Sequence, residues 1–99
     1  MLYIINKSHA DSQALNNCLQ RASRGDGILL IEHAVYSALN VKQSPLHVLL
    51  DNEVTVHALT PDMQARGLQQ SACFSFVEYV DYAGFVGLIE DSSAVRSCF

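Results

Sequence analysis

Ninety-nine residues, 49% of them apolar and 16% charged, with a formal net charge of −4 and a mean hydropathy of +0.15, describe one small core-forming domain and exclude two. Six basic residues against ten acidic ones, with no basic run, leave no electrostatic footprint for gripping a phosphate backbone unaided, so direct nucleic-acid binding is disfavoured. A chain this short buries only roughly 60–70% of the surface its unfolded form exposes, so its surplus apolar residues are expected to meet another subunit.

Taken in chain order, Leu2 to Asn6 is a short apolar run ending in polar residues and reads as a first strand. The segment from Ser8 to Ser12 offers N-cap side chains for a first helix. From Ser12 to Ala22 the apolar positions Ala14, Leu15, Cys18, Leu19 and Ala22 recur at helical spacing, with Arg21 and Arg24 near the C-terminal end and Gly25 as a stop. Gly25-Asp26-Gly27 is a turn into Ile28–Ile31, whose unbroken aliphatic run predicts a central parallel strand covered on both faces. Ala34 to Leu39 begins a second helix, redirected between Asn40 and Pro45 because the residue before a proline avoids the helical region. Leu46 to Leu50 fits either a helical turn or a short strand, and Asp51-Asn52 reads as a turn.

Val54 to Leu59 is β-rich and makes the third strand. Thr60 and Pro61 are placed as N-cap and first helical residue of a short helix over Asp62 to Arg66, closed by Gly67. Phe74 to Tyr79 makes the fourth strand. Asp81 caps a last helix in which Phe85, Leu88 and Ile89 share a face, and Ser92 to Phe99 carries no clear pattern. Strands alternating with helices predict an α/β fold: a small three-layer domain with a mainly parallel sheet of four or five strands, its crossovers right-handed.

Open sheets of this class place ligands beyond the carboxyl ends of their strands, which directs attention to the segments after Asn6, Ile31, Leu59 and Tyr79. None carries a phosphate-binding glycine motif. The four histidines His9, His33, His47 and His57 never fall four apart on one predicted helix, so neither a metal site nor any cofactor is expected. Glu32-His33 at a strand end is the one pair placed for acid–base work, whereas His57, inside a strand, reads as structural. Three cysteines with no CxxC spacing specify neither a disulfide framework nor a thiolate zinc site. Cys73 and Cys98 read as incidental, although an exposed tail cysteine could form disulfides between molecules. Cys18 is the candidate thiol. It flanks the apolar stripe of its helix, where packing is the ordinary role for a cysteine; a reactive role needs partial exposure and a nearby cation such as Lys7 or Arg21 to raise its thiolate fraction. No stretch approaches the roughly 20 apolar residues of a membrane span, and the N-terminus lacks the pattern of a signal peptide, so a cytoplasmic protein is expected.

Lys7-Ser8, Gly25 through Glu32 with Val35-Tyr36-Ser37-Ala38, Val56 through Leu59 with Asp62 and Ala65-Arg66-Gly67, and Tyr79 through Val86 together resemble the TusB/DsrH family, over nearly the whole chain. The resemblance implies a flavodoxin-like (DsrEFH-like) domain acting as one subunit of a sulfur-relay complex, in a heterohexamer with sister TusC/DsrF-like and TusD/DsrE-like subunits. In the Tus branch, persulfide sulfur passes by way of a TusE/DsrC-like carrier toward 2-thiolation of the tRNA wobble uridine; in the Dsr branch, it serves oxidation of stored sulfur. The principal persulfide cysteine of such relays belongs to the D/E-type subunit, so the resemblance implies a supporting role here. DsrH-like members carry a cysteine in the first helix where this chain has Cys18, which marks Cys18 as a candidate sulfur carrier. Some TusB-like members have an aliphatic residue there. After the second strand the family commonly reads Asp or Asn then Gly, and this chain departs with His33-Ala34. Alone, the chain is expected to self-associate in place of its sisters.

Overall fold

The computed structural model describes residues 1–49 and 53–99. The turn expected at Asp51-Asn52 and the end of the 46–50 segment lie outside them. Five strands, β1 (Leu2–Ile5), β2 (Gly27–Leu30), β3 (Thr55–Leu59), β4 (Val77–Val80) and β5 (Val95–Cys98), form one sheet in the order β4-β3-β2-β1-β5, every neighbouring pair parallel. The chain steps outward from β1 to β4 and then returns to place β5 on the far side of β1. Reversing direction while keeping right-handed crossovers requires the last connection to cross the opposite face of the sheet.

That is where the helices sit. Helix α1 (Ala14–Arg21), the 3-10 helices Glu32–Ala38 and Pro45–Leu49, and helix α2 (Thr60–Ala65) lie on the outward path; Leu15, Cys18, Ala34, Val35, Ala38, Leu46 and Met63 join Tyr3, Ile5, Ile28, Leu30, Val56 and Ala58 in the larger core. Among the described residues, the return helix α3 (Tyr82–Asp91) alone covers the other face, with Phe85, Leu88 and Ile89 against Leu2, Ile4 and Leu29. β1 and the Ile28–Leu30 part of β2 are buried at every position because helices cover both sides, the signature of internal parallel strands.

The local chemistry explains the boundaries. Asp81 caps α3 by accepting the Gly84 N–H at 2.8 Å, and Gly84 lets the helix approach β4, since a Cβ there would stand 3.0 Å from Val80 Cβ. α1 begins at Ala14, two residues later than its periodicity predicts, after the Ser12 hydroxyl accepts the Ala14 N–H at 3.1 Å. The second expected helix is a 3-10 helix, Glu32–Ala38, capped at its end by the Leu39 N–H to Tyr36 C=O bond. Thr60 is the first residue of α2 and not its side-chain cap; Leu59 occupies that place, and Pro61 sits in the first turn as its missing N–H allows. The fourth strand starts at Val77, because Phe74 N–H instead bonds the Ala38 carbonyl and Cys73 bridges Leu39 antiparallel to it. The unassigned tail is β5.

Candidate functional site

β1 and β5 meet at the point where the chain changes direction across the sheet, the position at which open α/β sheets characteristically build sites. Register pairs Tyr3 with Arg96 and Ile5 with Cys98. Tyr3 and Ile5 belong to the core on the α1 side, so the two-residue period of a strand turns Arg96 and Cys98 toward α1. On α1, Leu15 and Cys18 face inward and are buried. A cleft of about 230 Å³ results, lined by Asn17, Cys18, Arg21, Arg96, Cys98 and Phe99 among others. The candidate Cys18 thus lies at the floor of a cleft with a second thiol in it.

The electrostatics are unfavourable to Cys18 as a free nucleophile. It is only 2% exposed, and its thiol is pushed up to about 12, first by burial, then by the charge of the Cys98 thiol and of Asp26; Arg21 pulls the other way. A thiol titrating there is ionised in roughly one molecule in 10⁵ at pH 7. Cys98, half-buried, packs against the core that contains Cys18 and lines the same cleft. It lies in the segment for which no element was expected. A signal was available: Leu2–Ile5 is apolar at all four positions, as an internal strand requires, yet β2 covers one side only, and 92–99 was the remaining segment able to cover the other. Cys73 is buried apart from this pair, its Sγ 3.6 Å from the Gln69 carbonyl, with burial raising its thiol.

At the carboxyl end of β2, Glu32 and His33 are both exposed. Glu32 adopts a left-handed backbone (φ 51°), and its N–H donates to Asp62 Oδ2 at 2.6 Å. His33 stacks on Tyr36 with ring centroids 6.1 Å apart. The two side chains therefore flank a strained turn held by Asp62. His9, not singled out by its spacing, ties the loop after β1 to the 3-10 helix that succeeds β2: its N–H donates to Ser37 Oγ at 3.1 Å and its Nδ1 lies 2.8 Å from the same oxygen. His57, on β3 between Leu29 and Glu78, is buried, with Nδ1 3.6 Å from Glu78 Oε2, and desolvation holds its pKa below the usual histidine value. Among the described residues no group of three or more His, Cys, Asp or Glu is placed to hold a metal ion, and no helix is long and apolar enough to cross a membrane.

Comparison with known proteins agrees with this architecture. The E. coli ychN protein superposes with a TM-score of 0.75 over 97% of each chain at 18% identity. Protein Tm0979 from Thermotoga maritima superposes with a TM-score of 0.66 at 26% identity, covering 91% of this chain and 92% of that one. In sequence, a protein TusB from Pectobacterium atrosepticum is 38% identical over 80 residues, 81% of this chain and 79% of its own length. A protein TusB from Pectobacterium parmentieri is 33% identical over 90 residues, 89% of this chain and 90% of its own. The family described as DsrH-like protein matches residues 7–95. With that match running from the loop after β1 to the first residue of β5, this chain belongs to the DsrH-like family.

Proposed function

We propose that this chain is a supporting subunit of a sulfur-relay complex, in which persulfide sulfur moves toward 2-thiolation of the tRNA wobble uridine. Kinship with proteins named TusB carries this reading, and the chain's own physics supports the supporting role. Relay of sulfur requires a thiolate able to attack a donor persulfide. Cys18, buried and raised to about 12, is poorly suited to take sulfur directly from a protein donor. The chain instead displays apolar side chains that a lone domain has no use for: Tyr82 and Val86 on α3 are 62% and 51% exposed, and Phe99 beyond β5 is 64% exposed. Such residues are the material of subunit contacts. The partners this reading implies are TusC/DsrF-like and TusD/DsrE-like sisters and a TusE/DsrC-like carrier, and the negative net charge suits protein partners over RNA.

A second reading, sulfur transfer through Cys18 itself, draws on its place in the α1/β5 cleft beside Arg21, and the family match leaves a DsrH-type role in sulfur oxidation as the alternative pathway. Replacing the chromosomal gene with Cys18→Ser and measuring 2-thiouridine in bulk tRNA separates transfer through Cys18 from a supporting role. Unimpaired thiolation is the expected result. Loss of thiolation with normal protein levels assigns the transfer to Cys18.

A further inference from the structure

The α1/β5 cleft contains a pair of thiols of unequal access and two guanidinium groups. Cys98, half-buried, stands on an edge strand; Cys18 is buried in the core against which Cys98 packs, and both line the one cleft. Arg21 and Arg96 line the same cleft, and among the described residues neither is engaged in an ion pair. The carboxylate that acts on Cys18 is that of Asp26, and it is already held by the N-terminal ammonium at 3.1 Å and by the Ser23 N–H at 2.9 Å. The charged side chains that line the cleft, Arg21 and Arg96, are both cationic.

We propose that Cys98 and Cys18 form a two-thiol site for small anionic disulfides, in which Cys98 takes up the disulfide and Cys18 then displaces it, closing an intrachain disulfide between β5 and α1. The Cys98 thiolate attacks one sulfur of RSSR; that S–S bond breaks, RS⁻ leaves and collects a proton, and a Cys98–SR mixed disulfide remains. The Cys18 thiolate then attacks Cys98 Sγ, the Cys98–SR bond breaks, and a second RS⁻ leaves and is protonated. Two protein thiols are oxidised to one disulfide while RSSR is reduced to two RSH, so the exchange needs no further oxidant. Arg21 and Arg96 recruit a disulfide bearing carboxylates, as paired cationic side chains do.

The order of attack is set by access, because a buried thiol cannot meet RSSR first. Burial opposes ionisation of Cys18, so closure belongs to the minutes-to-hours range of uncatalysed disulfide rearrangement and accelerates with rising pH. The bond would fasten an edge strand, the most easily lost element of a sheet, to the helix beside it.

The experiment uses the full chain with oxidised glutathione, then intact mass and peptide mapping. Wild type is expected to lose two thiols, retain no adduct and yield a Cys18–Cys98 linked peptide. Cys18→Ser should stop at a glutathione adduct on Cys98, and Cys98→Ser, at a half-buried position, should take up none. At low ionic strength the Arg21→Gln/Arg96→Gln double variant should react more slowly by on the order of fivefold, with no such change toward neutral hydroxyethyl disulfide. A persistent adduct on wild-type Cys98, a bridge to Cys73 or between two chains, or an inert Cys98 overturns the site. Equal slowing with the neutral disulfide overturns its preference for anions.

Discussion

His57 shows how one residue records its surroundings. On β3 it faces the side of the sheet that only α3 covers, between Leu29 and the exposed Glu78. Burial lowers its pKa, and Glu78 opposes that shift without cancelling it. In the unfolded chain the imidazole protonates near 6.5, so as pH falls through that value the unfolded state binds the proton that the folded state resists. The stability that neutral His57 contributes is complete above 6.5 and declines below it. Chemical denaturation between pH 7.5 and 5.5 should therefore show a loss of stability on acidification that His57→Gln diminishes; an unchanged slope in the variant would place the acid sensitivity elsewhere. Glu32 offers a second test at this scale. Its left-handed backbone suits glycine better than glutamate, so Glu32→Gly should leave stability within ~1 kcal/mol of wild type or raise it. Asp62→Ala, which removes the acceptor of the Glu32 N–H, should lower stability by ~1 kcal/mol.

At the scale of elements, α3 is the most exposed to perturbation, having no fully buried residue and sole charge of one face of the sheet. Its N-terminus depends on one side chain, and Asp81→Ala should cost ~1 kcal/mol in urea denaturation, with α3 amides losing hydrogen-exchange protection first. The elements also differ in how legible they were in the sequence. Ile28–Leu30 and the Asp81 cap declared themselves because the pattern that encodes them is local: an aliphatic run, a carboxylate three residues before Gly84. β5 was illegible because three of its four residues are exposed and its partner, β1, lies at the opposite end of the chain. With β5 unseen, Cys98 fell into a featureless tail, and the pairing of Cys98 with Cys18 could not be read; Cys18 alone, sited on a helical stripe, could. Glu32–Ala38 is a 3-10 helix where an α-helix was expected, and its first residue is held by Asp62 from α2, a contact that no local pattern declares.

As a whole molecule, the described chain covers one face of its sheet with α1, α2 and 3-10 helices and the other with α3, leaving Tyr82, Val86, Val95 and Phe99 exposed. A domain of ninety-nine residues with this surface has stability to gain from association. The purified chain alone should show concentration-dependent self-association by sedimentation, and addition of the TusC/DsrF-like and TusD/DsrE-like subunits that the proposed function implies should replace that with a defined hetero-oligomer; a strict monomer under both conditions would contradict the reading of the exposed apolar residues as subunit contacts. The central claim, a supporting role in sulfur delivery to tRNA, is tested most directly by deleting the gene in its own host and quantifying 2-thiouridine in hydrolysed tRNA by mass spectrometry, with wild-type and Cys18→Ser copies restored in turn. Loss of the thiolated nucleoside on deletion and its return with either copy is the predicted result; a deletion strain with undiminished 2-thiouridine would contradict it.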